Sequence, residues 1–167
     1  MKSDINSLKK EILKLQLELK TYKKLALIDP LTELYNRRKL KRDIERYSHL
    51  KDRYKIDFLL VMIDVDGLKQ KNDKEGHKSG DIMLKRVANT LKNNIRKFDK
   101  SYRIGGDEFV LLLSHSKKED KHILERIRAE LSKHNIKISV GCSKLCEDVL
   151  EIADKRMYIE KNNKKEK

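Results

Sequence analysis

The sequence is poor in the residues and runs that mark secreted, membrane-spanning or irregular proteins. Its 167 residues include no tryptophan, one proline and six glycines, and only 5% are aromatic. No stretch approaches the roughly 20 apolar residues that span a bilayer, and the opening residues MKSDINSLKK lack the apolar core of a signal peptide. We therefore expect no membrane span, no secretory signal and a cytoplasmic location.

Cysteine is scarce as well. The two cysteines, Cys142 and Cys146, have no second pair and no neighbouring histidine cluster. This spacing indicates neither a zinc site nor a disulfide framework. Both are expected to be reduced thiols.

Basic residues are abundant, and the formal net charge is +14. Such a charge would suit a nucleic acid or an anionic membrane. The lysines, however, are spread along the chain among Asp and Glu, with no basic block interleaved with aromatics. Charge alone gives only non-specific affinity, so we expect no specific nucleic-acid binding. A positive field would equally suit a polyanionic nucleotide.

Apolar residues near the N-terminus recur at alternating spacings of three and four, the pattern of a parallel two-stranded coiled coil. They are Ile5, Leu8, Ile12, Leu15, Leu19, Tyr22 and Ala26. In this register Asp4 and Glu18 would face Lys9 and Lys23 of a partner helix. The pattern predicts a dimerisation helix over residues 1–28. An amphipathic helix packed on its own domain is the alternative, because roughly three heptads is a short repeat.

A second unit, residues 29–167, is predicted to begin where Asp29-Pro30 ends the first helix. After a helix over 36–50, the apolar patterns predict strands at 57–64, 100–104, 108–113 and 136–142, with helices after the first, third and fourth. This β-α-β-β-α-β-α order indicates an α+β, ferredoxin-like fold. The expected sheet is central and antiparallel, with helices on one face.

Acidic residues follow the first buried strand and occupy the hairpin. Asp64 ends the strand and Asp66 lies just beyond it, while Asp107 and Glu108 are at the hairpin tip. If the two strands are neighbours, these carboxylates converge and could bind Mg²⁺. Two such ions about 4 Å apart would assist phosphoryl transfer. Gly105-Gly106 is expected to adopt positive φ and approach a phosphate, although an ordinary charged turn is the alternative.

The hairpin run RIGGDEF (103 to 109) resembles the signature of the GGDEF family of bacterial diguanylate cyclases. Further blocks resemble the family in the same order: DPLTELYNRR (29 to 38), DVDGLKQKNDKEGHKSGD (64 to 81), Ser139 to Gly141, and Ala153 to Lys161. The resemblance implies a nucleotidyl-cyclase palm fold. It also implies condensation of two GTP into cyclic di-GMP and two pyrophosphates, across a homodimer whose domains face each other.

The resemblance implies a role for each matching residue. Asp64 and Asp107 through their carboxylates, and Val65 through its carbonyl, would bind two Mg²⁺ or Mn²⁺ ions per active site. Asp107 or Glu108 would help deprotonate the attacking 3′-hydroxyl, and Lys69 would contact the phosphates. The substrate-binding positions would be Asn72 and Asp81 at the guanine edge, His77 against the nucleotide and Lys161 at the triphosphate.

Arg96 and Asp99 match the family's RxxD site, at which the product cyclic di-GMP inhibits the enzyme. Basic residues at a helix C-terminus followed by a turn acid are the alternative explanation. Three rival functions stay open: a catalytically silent cyclic di-GMP receptor, a cyclase of mixed cyclic GMP-AMP, and a basic nucleic-acid-binding module. The intact hairpin argues against the first, and Asp81 argues against the second, because adenine lacks the two donors that guanine offers a carboxylate.

Overall fold

A computed structural model of the chain describes residues 2–114 and 117–165. The helices are α1 Lys2–Leu27, α2 Arg37–Tyr54, α3 Leu68–Glu75, α4 His77–Asn94, α5 Lys117–Ser132 and α6 Val149–Lys165. The strands are β1 Tyr35–Asn36, β2 Phe58–Val65, β3 Lys100–Arg103, β4 Glu108–Ser114 and β5 Ile138–Lys144. Within these ranges, no helix is long and apolar enough to cross a membrane.

The five strands form one sheet in the order β1-β3-β4-β2-β5. The pairs β3–β4, β4–β2 and β2–β5 are all antiparallel, as the sequence predicts. The short β1 instead runs parallel to β3, pairing Tyr35 with Tyr102. The sheet is therefore mixed rather than wholly antiparallel, because two residues are too few to produce a periodic pattern in the sequence.

Helices cover both faces of the sheet. Val61 and Ile63 of β2 pack in one apolar cluster with residues of α4 and α5. Leu60 and Met62 of the same strand pack in a second cluster with residues of α2 and α6. The prediction of helices on one face is therefore wrong. Apolar side chains occupy both faces of β2, and a strand of that kind must be covered on both sides.

Helix α1 extends away from this domain. Every residue from Ile5 to Tyr22 is exposed, including the apolar seam residues up to Tyr22, which are 47–68% exposed. The helix ends at Leu27, ahead of Asp29-Pro30 as predicted, and Asn36 Nδ2 donates a 3.0 Å hydrogen bond to the carbonyl of Ala26. The side chains of Asp4 and Lys23 lie outside the described residues. This exposure does not fit the alternative of packing on the chain's own domain.

A buried carboxylate joins α2 to β3. Asp43 is 1% exposed, accepts a 2.8 Å hydrogen bond from the Tyr102 hydroxyl, and pairs with Lys39 and Lys100 at 2.6 and 3.0 Å. Burial by itself would raise the pKa of Asp43, but the bonds from Lys39, Tyr102 and Lys100 hold it below its usual value. Burial and the neighbouring Asp43 raise the pKa of Tyr102 far above its usual range.

Replacing Asp43 by Asn is expected to lower the free energy of unfolding by about 3 kcal/mol, because it leaves two lysines facing a buried site. The contribution of a depressed carboxyl pKa is complete above about pH 4 and is lost as the pH falls through the lower folded value. Denaturant titrations between pH 3 and 7 test this, with Asp52→Asn, an exposed acid on the same helix, as control. Equal losses in the two variants would contradict the assignment.

Candidate active site

The strand register brings the predicted acids together. Strands β2 and β4 are neighbours, and Asp64 is paired with Glu108 in the register. Just beyond that pair, the Val65 amide donates a 3.0 Å hydrogen bond to the carbonyl of Asp107. The C-terminal end of β2 and the hairpin that leads into β4 thus hold Asp64, Val65, Asp107 and Glu108 at one edge of the sheet, as the sequence predicts for neighbouring strands.

The hairpin glycines act differently from the expectation. Among the described glycines, Gly67 and Gly76 have positive φ, whereas Gly105 and Gly106 do not. A Cβ atom at Gly105 would instead collide with the Glu108 carboxylate, whereas Gly106 faces open space. The prediction of positive φ is therefore wrong, because glycine is needed at position 105 for the close approach of the Glu108 side chain. The turn is closed by the hydrogen bond from the Ile104 amide to the Glu108 carbonyl, at 2.9 Å.

Two arginine side chains, Arg103 and Arg37, hydrogen-bond to the backbone of this turn. Arg103 donates to the Gly106 carbonyl at 2.8 Å and to Asp29 Oδ1 at 3.1 Å. Arg37 donates to the Ile104 carbonyl at 2.8 Å and lies 3.5 Å from Glu108. The segment that follows α1 is therefore tied directly to the hairpin. The sequence assigned no role to Arg37, which lies within the segment 29 to 38 that resembles the family.

Asp64 is 6% exposed, and its nearest cation is Lys161, whose Nζ lies 2.6 Å from Asp64 Oδ1. Burial raises the pKa of Asp64, and the charges of Asp107 and Asp66 add to the rise against the opposing Lys161. Burial alone would lower the pKa of Lys161, but its bond to Asp64 raises it. This edge of the sheet therefore carries negative charge that further cations would stabilise.

A cleft of about 690 Å³ opens beside these acids. Val65, Lys69, Asp107 and Lys161 line it, so four of the predicted residues share one cavity. The other lining residues are Asp66, Gly67, Leu68, Gln70, Lys137 and Lys164. Sequence reasoning gave Lys137 and Gln70 no role, and no sequence signal marks Lys137, because it is one of many dispersed lysines.

The residues predicted to bind guanine lie on α3 and α4, outside the residues that line this cleft. Asn72 Oδ1 is buried and has no hydrogen-bond partner in the part of the chain that the structure describes. It lies against Gly80, where any Cβ atom would collide with it. His77 begins α4 and Asp81 follows one turn later, both exposed. Gly80, the residue before Asp81, is therefore the point at which α4 packs against the Asn72 side chain.

The acids fit a divalent cation that completes its coordination with water and substrate. In the described parts of the chain, no three His, Cys, Asp or Glu side chains form a group that could hold a metal by themselves. Mg²⁺ is usually held by one or two carboxylates plus waters and phosphate oxygens. A buried aspartate with a raised pKa beside two further acids agrees with that donor set.

Arg96 and Asp99 lie together at a separate groove of about 350 Å³. Asp99 is 6% exposed and accepts hydrogen bonds from the Arg96 amide at 3.0 Å and the Ser114 amide at 2.9 Å. Arg96 Nη1 donates to the Ser114 carbonyl at 3.2 Å. Both residues therefore also hold the turn between α4 and β3, which accounts for the buried position of Asp99.

These features define an α+β domain whose sheet edge combines clustered acids with a lysine-lined cleft. The family model described as "Diguanylate cyclase, GGDEF domain" matches residues 26–167. The chain therefore belongs to the GGDEF family, as the signature run indicates. The expected α+β fold, a central sheet with flanking helices after a leading helix, is confirmed by the likeness to a solved structure that contains a coiled coil and a GGDEF domain.

Curated relatives are longer than this chain. The diguanylate cyclase DgcP of Pseudomonas aeruginosa is 36% identical over 129 residues, which cover 77% of this chain and 19% of DgcP. The diguanylate cyclase DosC of Escherichia coli is 33% identical over 150 residues, covering 80% of this chain and 33% of DosC. The chain thus spans between a fifth and a third of the length of these relatives.

One similar solved structure contains the coiled coil and GGDEF domain of DgcB from Caulobacter crescentus in complex with c-di-GMP. Its TM-score to this chain is 0.90 at 23% identity, and the match covers 97% of this chain and 94% of that one. At this level of identity the likeness supports the fold, including a helix ahead of the domain.

Proposed function

We propose that the protein is a diguanylate cyclase that condenses two GTP molecules into cyclic di-GMP and two pyrophosphates. One observation carries the proposal. Asp64 pairs with Glu108 in the β2–β4 register, and the adjacent Asp107 lines a cleft together with Lys69 and Lys161. Phosphoryl transfer requires acidic residues that bind cations and basic residues that bind phosphates, and both kinds lie at this edge of the sheet.

Asp64 and Asp107, with the Val65 carbonyl, would hold Mg²⁺ or Mn²⁺, two ions per active site. Bound there, the ions supply Lewis-acid stabilisation of the attacking and leaving oxygens. Asp64 is suited to this role because it is buried and its position is fixed by the β2–β4 ladder.

The protein's own groups handle the proton and the leaving group. The 3′-oxygen of one GTP attacks the α-phosphorus of the other, and the bond from that phosphorus to pyrophosphate breaks. Asp107 or Glu108 takes the hydroxyl proton, and Arg37, 3.5 Å from Glu108, holds that carboxylate toward the hairpin. Lys69 and Lys161 line the cleft and stabilise the charge that develops on the phosphates.

Guanine is assigned to α3 and α4. The buried Asn72 oxygen, which no other described residue hydrogen-bonds, can accept a hydrogen bond from a donor on the base edge. Asp81, in the first turns of α4, accepts from guanine N1 and N2, and a carboxylate left without those donors would disfavour ATP. His77, at the start of α4, would lie against the nucleotide.

Each domain would hold one GTP, so the reaction needs two chains. The exposed seam of α1 supplies a surface for a parallel homodimer, since apolar residues at heptad spacing are otherwise left in water. Tethering two domains raises the effective concentration of the second half-site. The ion pair between Asp29 and Arg103, at 3.1 Å, then links the segment just after α1 to the catalytic hairpin.

Nucleotide choice tests the proposal against its rivals. Purified protein is incubated with GTP, ATP or an equal mixture in Mg²⁺, and the products are separated and weighed by mass spectrometry. Cyclic di-GMP from GTP and from the mixture, with nothing from ATP, is expected. Cyclic GMP-AMP from the mixture would favour the mixed cyclase instead.

A catalytically silent cyclic di-GMP receptor is the second candidate, and the groove at Arg96 and Asp99 is the observation that favours it. In the cyclase, the same groove would bind product and inhibit. Both functions predict product binding there, and only the cyclase predicts synthesis by the intact hairpin.

Replacing Arg96 by Ala is expected to weaken cyclic di-GMP binding about tenfold, because a charged hydrogen-bond donor to the product is lost. Progress curves of the wild type should level off, while those of the variant stay linear for longer. Arg46→Ala, an exposed arginine on α2, is the matched control. Identical progress curves and identical product affinity in the wild type and Arg96→Ala would contradict the assignment of an inhibitory product site.

A further inference from the structure

The lysines of the active-site cleft divide into two pairs. Lys161 and Lys164 are held by protein acids, at 2.6 Å from Asp64 and 3.2 Å from Asp66 respectively. Lys164 also lies 2.9 Å from Glu160. The charge of these two lysines is therefore balanced by carboxylates, and a ligand would have to compete for it.

Lys69 and Lys137 form the other pair. Both are exposed and line the cleft, and neither ammonium has an ion pair or hydrogen bond within residues 2–114 and 117–165. Lys69 already has a phosphate role in the proposed reaction. Lys137 is the second cation in the cleft that is available to a polyanion, and no role has been given to it.

The backbone of Lys137 is fixed next to the acidic edge. Its carbonyl accepts a 3.0 Å hydrogen bond from the Asp66 amide, and the following residue, Ile138, pairs with Val65 across β2 and β5. Lys137 also lines an adjoining groove of about 230 Å³, together with Lys164 and Arg128. The Lys137 side chain therefore lies between the cleft and this adjoining groove.

This position matches one part of the substrate. The α-phosphate must lie at Asp64 and Asp107, and the base is assigned to Asn72 and Asp81, outside the lining of the cleft. The remaining, basic part of the cleft is then left for the β- and γ-phosphates. A lysine serves there as a flexible point charge for a phosphate group.

We infer that Lys137 binds the β- and γ-phosphates of the nucleotide and stabilises the pyrophosphate as it leaves. The inference rests on the proposed function for the identity of the nucleotide. It adds a substrate-binding residue immediately before β5, which is an edge strand of the sheet.

Calorimetric titration tests the inference without turnover. The full chain, with Mg²⁺, is titrated with the α,β-methylene analogue of GTP and, separately, with GMP. Lys137→Met should weaken binding of the triphosphate analogue about tenfold, because one charged hydrogen bond is lost, and leave GMP binding unchanged. Lys137→Arg should restore most of the difference. In turnover, Lys137→Met should raise the KM for GTP.

Lys133→Met is the matched control, because Lys133 is an exposed lysine in the same segment and does not line the cleft. It should alter neither affinity. Equal weakening of both ligands by Lys137→Met, no weakening of the analogue, or the same loss in Lys133→Met would overturn the inference. A wild type that binds the analogue through Lys137 but makes no cyclic di-GMP would leave the inference standing and remove the proposed function.

Discussion

Asn in place of Asp64 is expected to lower the rate of cyclic di-GMP formation by about 10³-fold, the scale on which loss of one transition-state-stabilising group acts. The variant removes a buried carboxylate from the acidic edge and leaves Lys161 without its partner at 2.6 Å. Amide and carboxylate have nearly the same shape, so the strand should be preserved. Product formation under saturating GTP and Mg²⁺ measures the effect.

Two controls separate chemistry from folding. Asp73→Asn removes an exposed acid from α3 and should keep the wild-type rate. The thermal unfolding temperature of Asp64→Asn should be at least that of the wild type, because a desolvated carboxyl with a raised pKa destabilises the folded state. A fall of less than tenfold in rate would mean that Asp64 does not bind the catalytic cations.

Charges placed on the seam of α1 should separate the chains. The double substitution Leu8→Lys and Leu15→Lys puts like charges at successive d positions, where a parallel partner would bring their equivalents close. We expect a monomer at micromolar concentration and a rate of synthesis about 10²-fold lower, because the second half-site is then no longer tethered. Analytical ultracentrifugation and product assays on the same samples measure both.

The helix provides its own control. Leu13 and Leu17 are also exposed on α1, at 68% and 66%, but they lie off the heptad seam. Leu13→Lys with Leu17→Lys makes the same change of charge and apolar area on the outer face, and this variant should remain a dimer with full activity. A monomeric wild type, or equal effects of the two double variants, would refute the coiled-coil dimer.

The parts of the fold that the sequence predicts are those with strong periodicity. The apolar run of β2, the glycine-containing hairpin and the amphipathic α4 are found close to the predicted positions. Their register then brings Asp64 beside the hairpin, as the acids at the strand ends suggest. The α1 seam is equally clear, because its spacing is unbroken from Ile5 to Tyr22.

Elements with little apolar surface escaped prediction. Helix α3 contains no buried residue, so it has no apolar face to read in the sequence. Strand β1 has two residues. The sequence did not show that helices cover both faces of the sheet. Strands that are apolar throughout give no alternation of apolar and polar residues from which an exposed face could be told from a buried one. Lys137 required the structure, since only the pairing of β5 with β2 brings it to the acids.

The most direct test of the account is product identification after incubation of the purified chain with GTP and Mg²⁺, using Asp107→Ala as the control. The account predicts cyclic di-GMP and pyrophosphate from the wild type and neither from the variant. Cyclic di-GMP from both proteins would contradict the assignment of Asp107. Absence of product from a wild type shown to be dimeric would contradict the cyclase itself and favour the receptor.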